Sequence, residues 1–145
     1  MVKIADTQNI STTNAWGLVA MLFEKMVENF EESISSIEDD DYIKVRELNN
    51  HSRAILTELM VQFNGEDDIS TDIRELNLYI NKLMTEGELE GRVSTYRTCI
   101  KVLVPLIIAF RELELDEKPS AVTGLTYGRD SLDEYVLKEN RDFKG

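Results

Sequence analysis

The sequence predicts an all-α protein: an antiparallel up-down four-helix bundle with an N-terminal arm and a C-terminal extension. Only two prolines and seven glycines interrupt 145 residues, of which 42% are hydrophobic. Leu, Ile, Glu and Met are frequent, as helices favour. Apolar residues recur at steps of three and four along four long segments, which is the spacing of one helical face. We therefore divide the chain into an arm (1–14), a bundle (15–115) and an extension (116–145).

The first two helices are predicted over residues 15–37 and 42–63. Asn14 can cap helix 1, because its side-chain oxygen can accept an N–H of the first turn. The acidic run Glu38–Asp41 ends that helix, and its later aspartates are placed to cap helix 2. Asn64-Gly65 then indicates a helix stop. The apolar faces contain Val19, Leu22, Phe23, Met26, Phe30, Ile34 and Ile37 in helix 1 and Val45, Leu48, Ile55, Leu59 and Phe63 in helix 2.

Helix 3 is predicted over residues 71–84, ended by Gly87, and helix 4 over residues 89–113. Pro105 interrupts helix 4, and an interior proline costs roughly 3 kcal/mol, so we expect a kink there. Apolar residues surround Pro105 on every side, which predicts that this stretch is covered all round. Six residues are expected in the core by their shared period: Leu22, Phe30, Ile55, Leu59, Ile80 and Ile100.

The extension differs from the bundle in composition. Pro119, Gly124 and Gly128 punctuate a polar stretch that is typical of a linker. Ser131–Glu134 has the spacing of a capping box. A short extra helix could follow, with an apolar edge formed by Leu132, Tyr135 and Val136.

Charge and composition exclude several classes of function. The chain has 16 basic and 28 acidic residues, a formal charge of −12, which repels nucleic acid and anionic membrane surfaces. We expect neither as a partner. The longest apolar run, Val102–Phe110, is far shorter than the ~20 residues of a membrane helix. The first ten residues lack the features of a signal peptide, and the single cysteine fits a reducing compartment. A cytoplasmic location is expected.

Catalytic and metal-binding residues are scarce. The chain has one histidine, His51, and one cysteine, Cys99, whereas a zinc site usually needs four ligands. The sequence has no Gly-rich phosphate loop, so we expect no metal and no cofactor. A Cys–His nucleophile pair would require Cys99 and His51 to meet. The favoured interpretation is a small core thiol and a half-exposed histidine, and therefore no enzyme.

A motif that runs from the arm into the first helix contains Thr12, Leu18, Met21 and Leu22, with Asn14 in place of a capping serine and Phe23 in place of a tyrosine. In this motif and in two further segments the chain resembles the flagellin-specific export chaperones of the FliS type. In helix 2, Ser52–Leu59 is similar to an Arg-Ala-x-x-Ile-Ile-x-Glu-Leu pattern. Leu76–Tyr79 keeps part of a Leu-Tyr-x-Tyr pattern in helix 3. The resemblance covers about residues 5 to 114. It departs from the family at Ala5, Ala15 and Glu114, and the extension is longer.

The resemblance implies a chaperone without catalytic activity. Such proteins bind the C-terminal segment of flagellin, prevent its premature polymerisation and deliver it to the flagellar export apparatus. The N-terminal arm lies over the bundle in that family and is displaced by flagellin. The resemblance assigns partner binding to the arm and to a groove at helices 2 and 3, here Ile4, Ile10, Trp16, Leu48, Ile55, Leu59, Tyr79, Ile80 and Leu83.

Two other functions remain open on the sequence alone. The first is a generic regulatory or scaffold bundle that dimerises or binds another helical partner. The second is an enzyme that uses Cys99 and His51. The chain is expected to be a monomer or a homodimer.

Overall fold

Four helices form the bundle in the computed structural model, which describes residues 10–116 and 120–123. The fold class is the predicted one. The helices are α1 (Ala15–Glu38), α2 (Tyr42–Gln62), α3 (Asp68–Glu90) and α4 (Val93–Leu115), and two short strands are β1 (Ile10–Thr13) and β2 (Ser120–Thr123). Ile4 and the extra helix expected from residue 131 onward lie outside the described residues.

Side-chain caps begin three of the helices. The Asn14 oxygen accepts a hydrogen bond from the Gly17 N–H at 3.1 Å, which confirms the predicted cap of α1. The Asp41 carboxylate accepts from the Lys44 N–H and caps α2. Asp67, part of the acidic turn after Gly65, accepts from the backbone and the hydroxyl of Ser70. The acidic residues around the turns therefore act as helix caps.

The predicted boundary between helices 3 and 4 is wrong. α3 runs through Gly87 to Glu90 and ends at Gly91, which has a φ of 60°. Glycine reaches this left-handed conformation without steric cost, so Gly91 is the true helix stop. Leu89, predicted to begin helix 4, instead lies in the last turn of α3 and is 78% exposed.

Hydrogen bonds and an ion pair show that α1 runs antiparallel to α2 and that α2 runs antiparallel to α3. Asn29 of α1 donates to Ser52 of α2, and Lys44 near the start of α2 pairs with Glu32 further along α1. The same order holds between α2 and α3, where bonds join Arg46 to Glu88, Asn49 to Met84, Arg53 to Asn81 and Asn77 to Leu56. The partner numbers fall as the α2 numbers rise. The up-down arrangement of these helices was predicted.

Contacts divide the chain into two compact units, Met1–Ala20 with Ile108–Gly145 and Met21–Ile107. The core of the second unit contains Leu22, Phe23, Met26, Phe30, Ile55, Leu59, Ile80, Met84, Tyr96 and Leu103, none more than 3% exposed. Five of the six predicted core residues are among them. Ile100, the sixth, is only half-buried. In the first unit, Leu18 and Val19 are fully buried.

α4 is continuous through Pro105, so the chain does not break at this proline. The expectation that apolar residues around Pro105 are covered on every side is wrong. Val104 is 41% exposed, Ile108 is 56% exposed, and Pro105 itself is exposed. By length and composition α4 could cross a membrane, and only 28% of its apolar window is buried. One such helix is weak evidence of a membrane span, and Tyr96, Cys99 and Leu103 of this helix are fully buried in the bundle.

A two-stranded antiparallel sheet joins the segments on either side of the four helices. β1 pairs with β2 in the register Ile10 to Thr123, Ser11 to Val122, Thr12 to Ala121 and Thr13 to Ser120. The polar stretch after Pro119 was predicted to be a linker, and at Ser120–Thr123 that prediction is wrong. Thr and Val favour strands, but only the pairing with β1 reveals this one.

Candidate partner-binding surfaces

The residues predicted to bind a partner at helices 2 and 3 lie at different depths. Ile55, Leu59 and Ile80 are 0% exposed, and Leu48 is 8% exposed. These four side chains fill the core of the bundle in this structure. Tyr79 is 45% exposed and Leu83 is half-buried, so only these two offer surface to a partner.

Tyr79 and Leu83 belong to an apolar stripe on α3. Leu76 precedes Tyr79 by three residues, and Leu83 follows it by four, so all three share one helical face. Leu76 and Leu83 are half-buried beside the fully buried Ile80. We name Leu76, Tyr79 and Leu83 the α3 stripe.

A second apolar stripe lies on α4. Val93, Ile100 and Ile107 recur every seven residues and are half-buried, and Val104 adds a 41% exposed side chain between them. We name these four residues the α4 stripe. Sequence reasoning assigned Ile100 to the core, because periodicity marks an apolar face but does not tell whether another helix covers it. A hydrophobic surface that is left open in this way is typical of a binding site.

Trp16 and Ile10, the other predicted binding residues within the described chain, lie in the first unit. The Trp16 ring is half-buried and stacks on the ring of Phe110, with centroids 5.6 Å apart. Next to it, the Asn14 amide donates to the Glu114 carbonyl at 2.9 Å. Ile10 begins β1. Asn14 and Trp16 hold the beginning of α1 against the end of α4.

A network of polar side chains links α2, α3 and α4. The Tyr96 hydroxyl donates to the Asn49 side chain at 3.0 Å, and the Asn49 amide donates to the Met84 carbonyl and to Glu88. Burial raises the pKa of Tyr96 to about 12. The network joins α2, α3 and α4, which helps to fix the relative positions of these helices.

A shallow cleft at the turn end of α3 was not predicted. It has a volume of about 410 Å³ and is lined by Tyr42, Arg46, Glu88, Leu89, Glu90 and Gly91. Arg46 pairs with Glu88 at 3.2 Å across its floor, and Arg92 pairs with Glu90 beside it. Its charges are therefore matched within the chain.

A comparison with protein families decides what kind of protein this is. The model of the family described as flagellar protein FliS matches residues 3–117. The chain belongs to the FliS family. FliS proteins are chaperones of flagellum assembly that bind flagellin, and the family is not known for enzymatic activity. A search of curated proteins gave no match.

The FliS match includes β1 and all four helices but ends before β2. Both stripes, Trp16 and the buried residues of the predicted groove lie within it. The strand Ser120–Thr123 therefore belongs to a part of this chain that the family model does not describe.

The environments of Cys99 and His51 disfavour nucleophilic chemistry in this FliS chain. Cys99 is fully buried, and burial raises the pKa of its thiol to about 12, whereas a cysteine nucleophile needs a lowered pKa. His51 bonds to the Asn29 side chain at 2.9 Å. Burial, with a smaller effect of Lys25, lowers the pKa of His51, which favours the neutral form of its ring. The environments of Cys99 and His51 therefore favour a structural role for both side chains.

Proposed function

We propose that this chain is a cytoplasmic export chaperone that binds the C-terminal segment of flagellin, prevents its premature polymerisation and assists its secretion. The observation that carries the proposal is the pair of partly exposed apolar stripes on α3 and α4 of a FliS family member. Delivery to the flagellar export apparatus is part of the same proposal.

The spacing of the stripes suits a helical partner. The residues of each stripe lie three, four or seven positions apart, so each presents a narrow apolar ridge along its helix. The C-terminal segment of a flagellin, amphipathic and disordered before assembly, would fold against these ridges and bury its own apolar face. Ordering such a segment costs about 2–5 kcal/mol, so the affinity must come from a long contact.

The predicted binding residues then divide into three groups. Tyr79 and Leu83 contact the partner directly, because their side chains reach the surface. Ile55, Leu59 and Ile80 support the surface from beneath, because they are fully buried. We propose that Ile4, Ile10 and Trp16 act with the N-terminal arm, and that the arm is displaced when the partner binds, as the resemblance to the FliS family implies.

Calorimetry with a peptide of the flagellin C-terminal segment tests this proposal. We expect micromolar or tighter binding by the native chain and at least about tenfold weaker binding by Tyr79→Ser and by Val104→Ser, since loss of a central apolar contact typically costs more than 1 kcal/mol. Leu78→Ser is the matched control. Leu78 is 68% exposed on another face of α3, so its loss should leave the affinity unchanged. Equal affinities for all four proteins, or no binding by the native chain, would refute the proposal.

A dimerising scaffold module is the second candidate, and the exposed α4 stripe favours it. A second copy of the chain could cover Val104 and its neighbours as well as flagellin could. Sedimentation velocity separates the two functions. A dimer that dissociates in the Val104→Ser variant and ignores the flagellin peptide would support the scaffold.

A further inference from the structure

The N-terminal arm and the C-terminal extension are joined by a β-ladder. β1 and β2 pair over four residues each, from Ile10 opposite Thr123 to Thr13 opposite Ser120. β1 lies within the residues that match the FliS family, and β2 lies beyond them. The extension thus supplies a strand partner for a segment that the family shares.

Contacts within the same unit hold the two strands opposite each other. β1 leads directly into Asn14, whose side chain caps α1 and also donates to the Glu114 carbonyl at 2.9 Å. Trp16 stacks on Phe110 one turn further in. These contacts fix the end of β1 beside the last turn of α4, and β2 begins only five residues after Leu115. The loop that closes the ladder is therefore short, so its closure entropy is small.

We propose that β2 is a latch that holds the N-terminal arm in place and lowers the apparent affinity of the chaperone for its partner. The inference rests on the proposed function, in which the arm moves when the partner binds. An arm that is paired with β2 moves only after the ladder opens. The apparent affinity is then reduced by the fraction of molecules in which the latch is closed.

The size of the ladder makes the latch reversible. An isolated pair of short strands is only marginally stable in water, and β1 and β2 have four residues each. A partner that binds only when the ladder is open shifts the equilibrium toward the open form by its preference for that form. The latch therefore adjusts the affinity without preventing binding.

Disulfide trapping tests the latch without any partner. We would prepare Ser11→Cys with Val122→Cys, and separately Thr12→Cys with Ala121→Cys, because adjacent antiparallel pairs alternate between wide and narrow spacing and one of the two must be narrow. Ile10→Cys with Ser120→Cys is the control, since three positions along a strand separate its sulfurs by about 10 Å. We expect rapid oxidation of at least one in-register pair and little of the control. Oxidation of both in-register pairs no faster than the control would overturn the proposal.

Partner binding tests the consequence of the latch. Truncation after Glu117 and the full-length variant Val122→Pro should both bind the flagellin peptide about tenfold more tightly than the native chain. Proline lacks the N–H that a strand pair uses, whereas Val122→Thr keeps a β-branched residue and should bind like the native chain. The oxidised in-register pair should bind more weakly than its reduced form.

The outcomes separate the latch from the proposed function. Equal affinities for the native, truncated and Val122→Pro chains would overturn the latch while leaving the chaperone intact. Absence of binding by every variant would refute the proposed function, and the trapping experiment would then decide alone whether β1 and β2 pair.

Discussion

At the residue scale, Gly87 shows how one missing side chain permits a close approach of two helices. A Cβ at this position would collide with the Tyr96 ring and would lie 2.5 Å from the Thr95 hydroxyl. Both neighbours are buried, and the Tyr96 hydroxyl is held by Asn49 and Met84. Tyr96 therefore has no free direction in which to move. The glycine is required by packing, although it lies inside a helix, where glycine is usually unfavourable.

We predict that Gly87→Ala destabilises the protein. Alanine is a better helix former than glycine by about 1 kcal/mol. Overpacking a close contact, however, costs about 1–3 kcal/mol. A collision with an aromatic ring that hydrogen bonds hold in place lies at the upper end of that range. The net loss should be about 1–2 kcal/mol in the free energy of unfolding, measured by urea denaturation. Lys82→Ala, exposed on the same helix, is the control and should change little. A more stable Gly87→Ala protein would show that the Tyr96 ring is not fixed.

At the element scale, the sequence located the helices well because their signals are local. Caps at Asn14 and Asp41 lie within three residues of the groups they bind, and the apolar period is continuous along each helix. The end of α3 was misplaced for a reason that is not local. Glycine often ends a helix, but Gly87 instead leaves the space that the Tyr96 ring occupies. Gly91, four residues later, ends α3.

The burial of α4 likewise could not be predicted from local sequence signals. Its apolar residues predicted burial on every side, whereas Val104 and Ile108 are exposed. Periodicity reports the composition of a face, and the coverage of that face depends on which helices pack against it. The α4 stripe could therefore be recognised as a surface only from the fold, and the same holds for β2, whose partner strand lies at the other end of the sequence.

Pro105 leads to a prediction about α4 as an element. The proline is exposed in the middle of a continuous helix, so no buried contact explains it. An interior proline destabilises a typical helix by about 3 kcal/mol, because it lacks the N–H and clashes with the preceding turn. Replacement by alanine removes both effects. Greater freedom of the unfolded chain offsets up to about 1 kcal/mol of this gain.

We therefore expect Pro105→Ala to raise the free energy of unfolding by about 1–2 kcal/mol, measured by urea denaturation. Lys101→Ala, an exposed substitution one turn earlier in α4, is the control and should have little effect. A destabilised Pro105→Ala protein would mean that the proline fits a local bend of α4 that alanine does not reproduce.

At the scale of the whole molecule, charge and apolar surface act in opposite directions. The formal charge of −12 repels other copies of the chain and the phosphates of nucleic acid. The partly exposed stripes on α3 and α4 offer apolar surface that, on the proposed function, attracts an apolar segment at short range. A holding chaperone needs both properties, because exposed apolar side chains would otherwise promote its own aggregation.

This combination predicts how partner binding responds to salt and temperature. Binding of the flagellin C-terminal segment should bury apolar area, so its heat-capacity change should be negative and its affinity should vary little between about 0.1 and about 0.5 M salt. Duplex DNA at the same concentrations should give no heat at either salt concentration, because a net charge of −12 repels phosphate. Titration calorimetry at three temperatures measures both quantities. A positive heat-capacity change, or an affinity that falls by a factor of a hundred or so across this salt range, would show that charges and not the apolar stripes hold the partner.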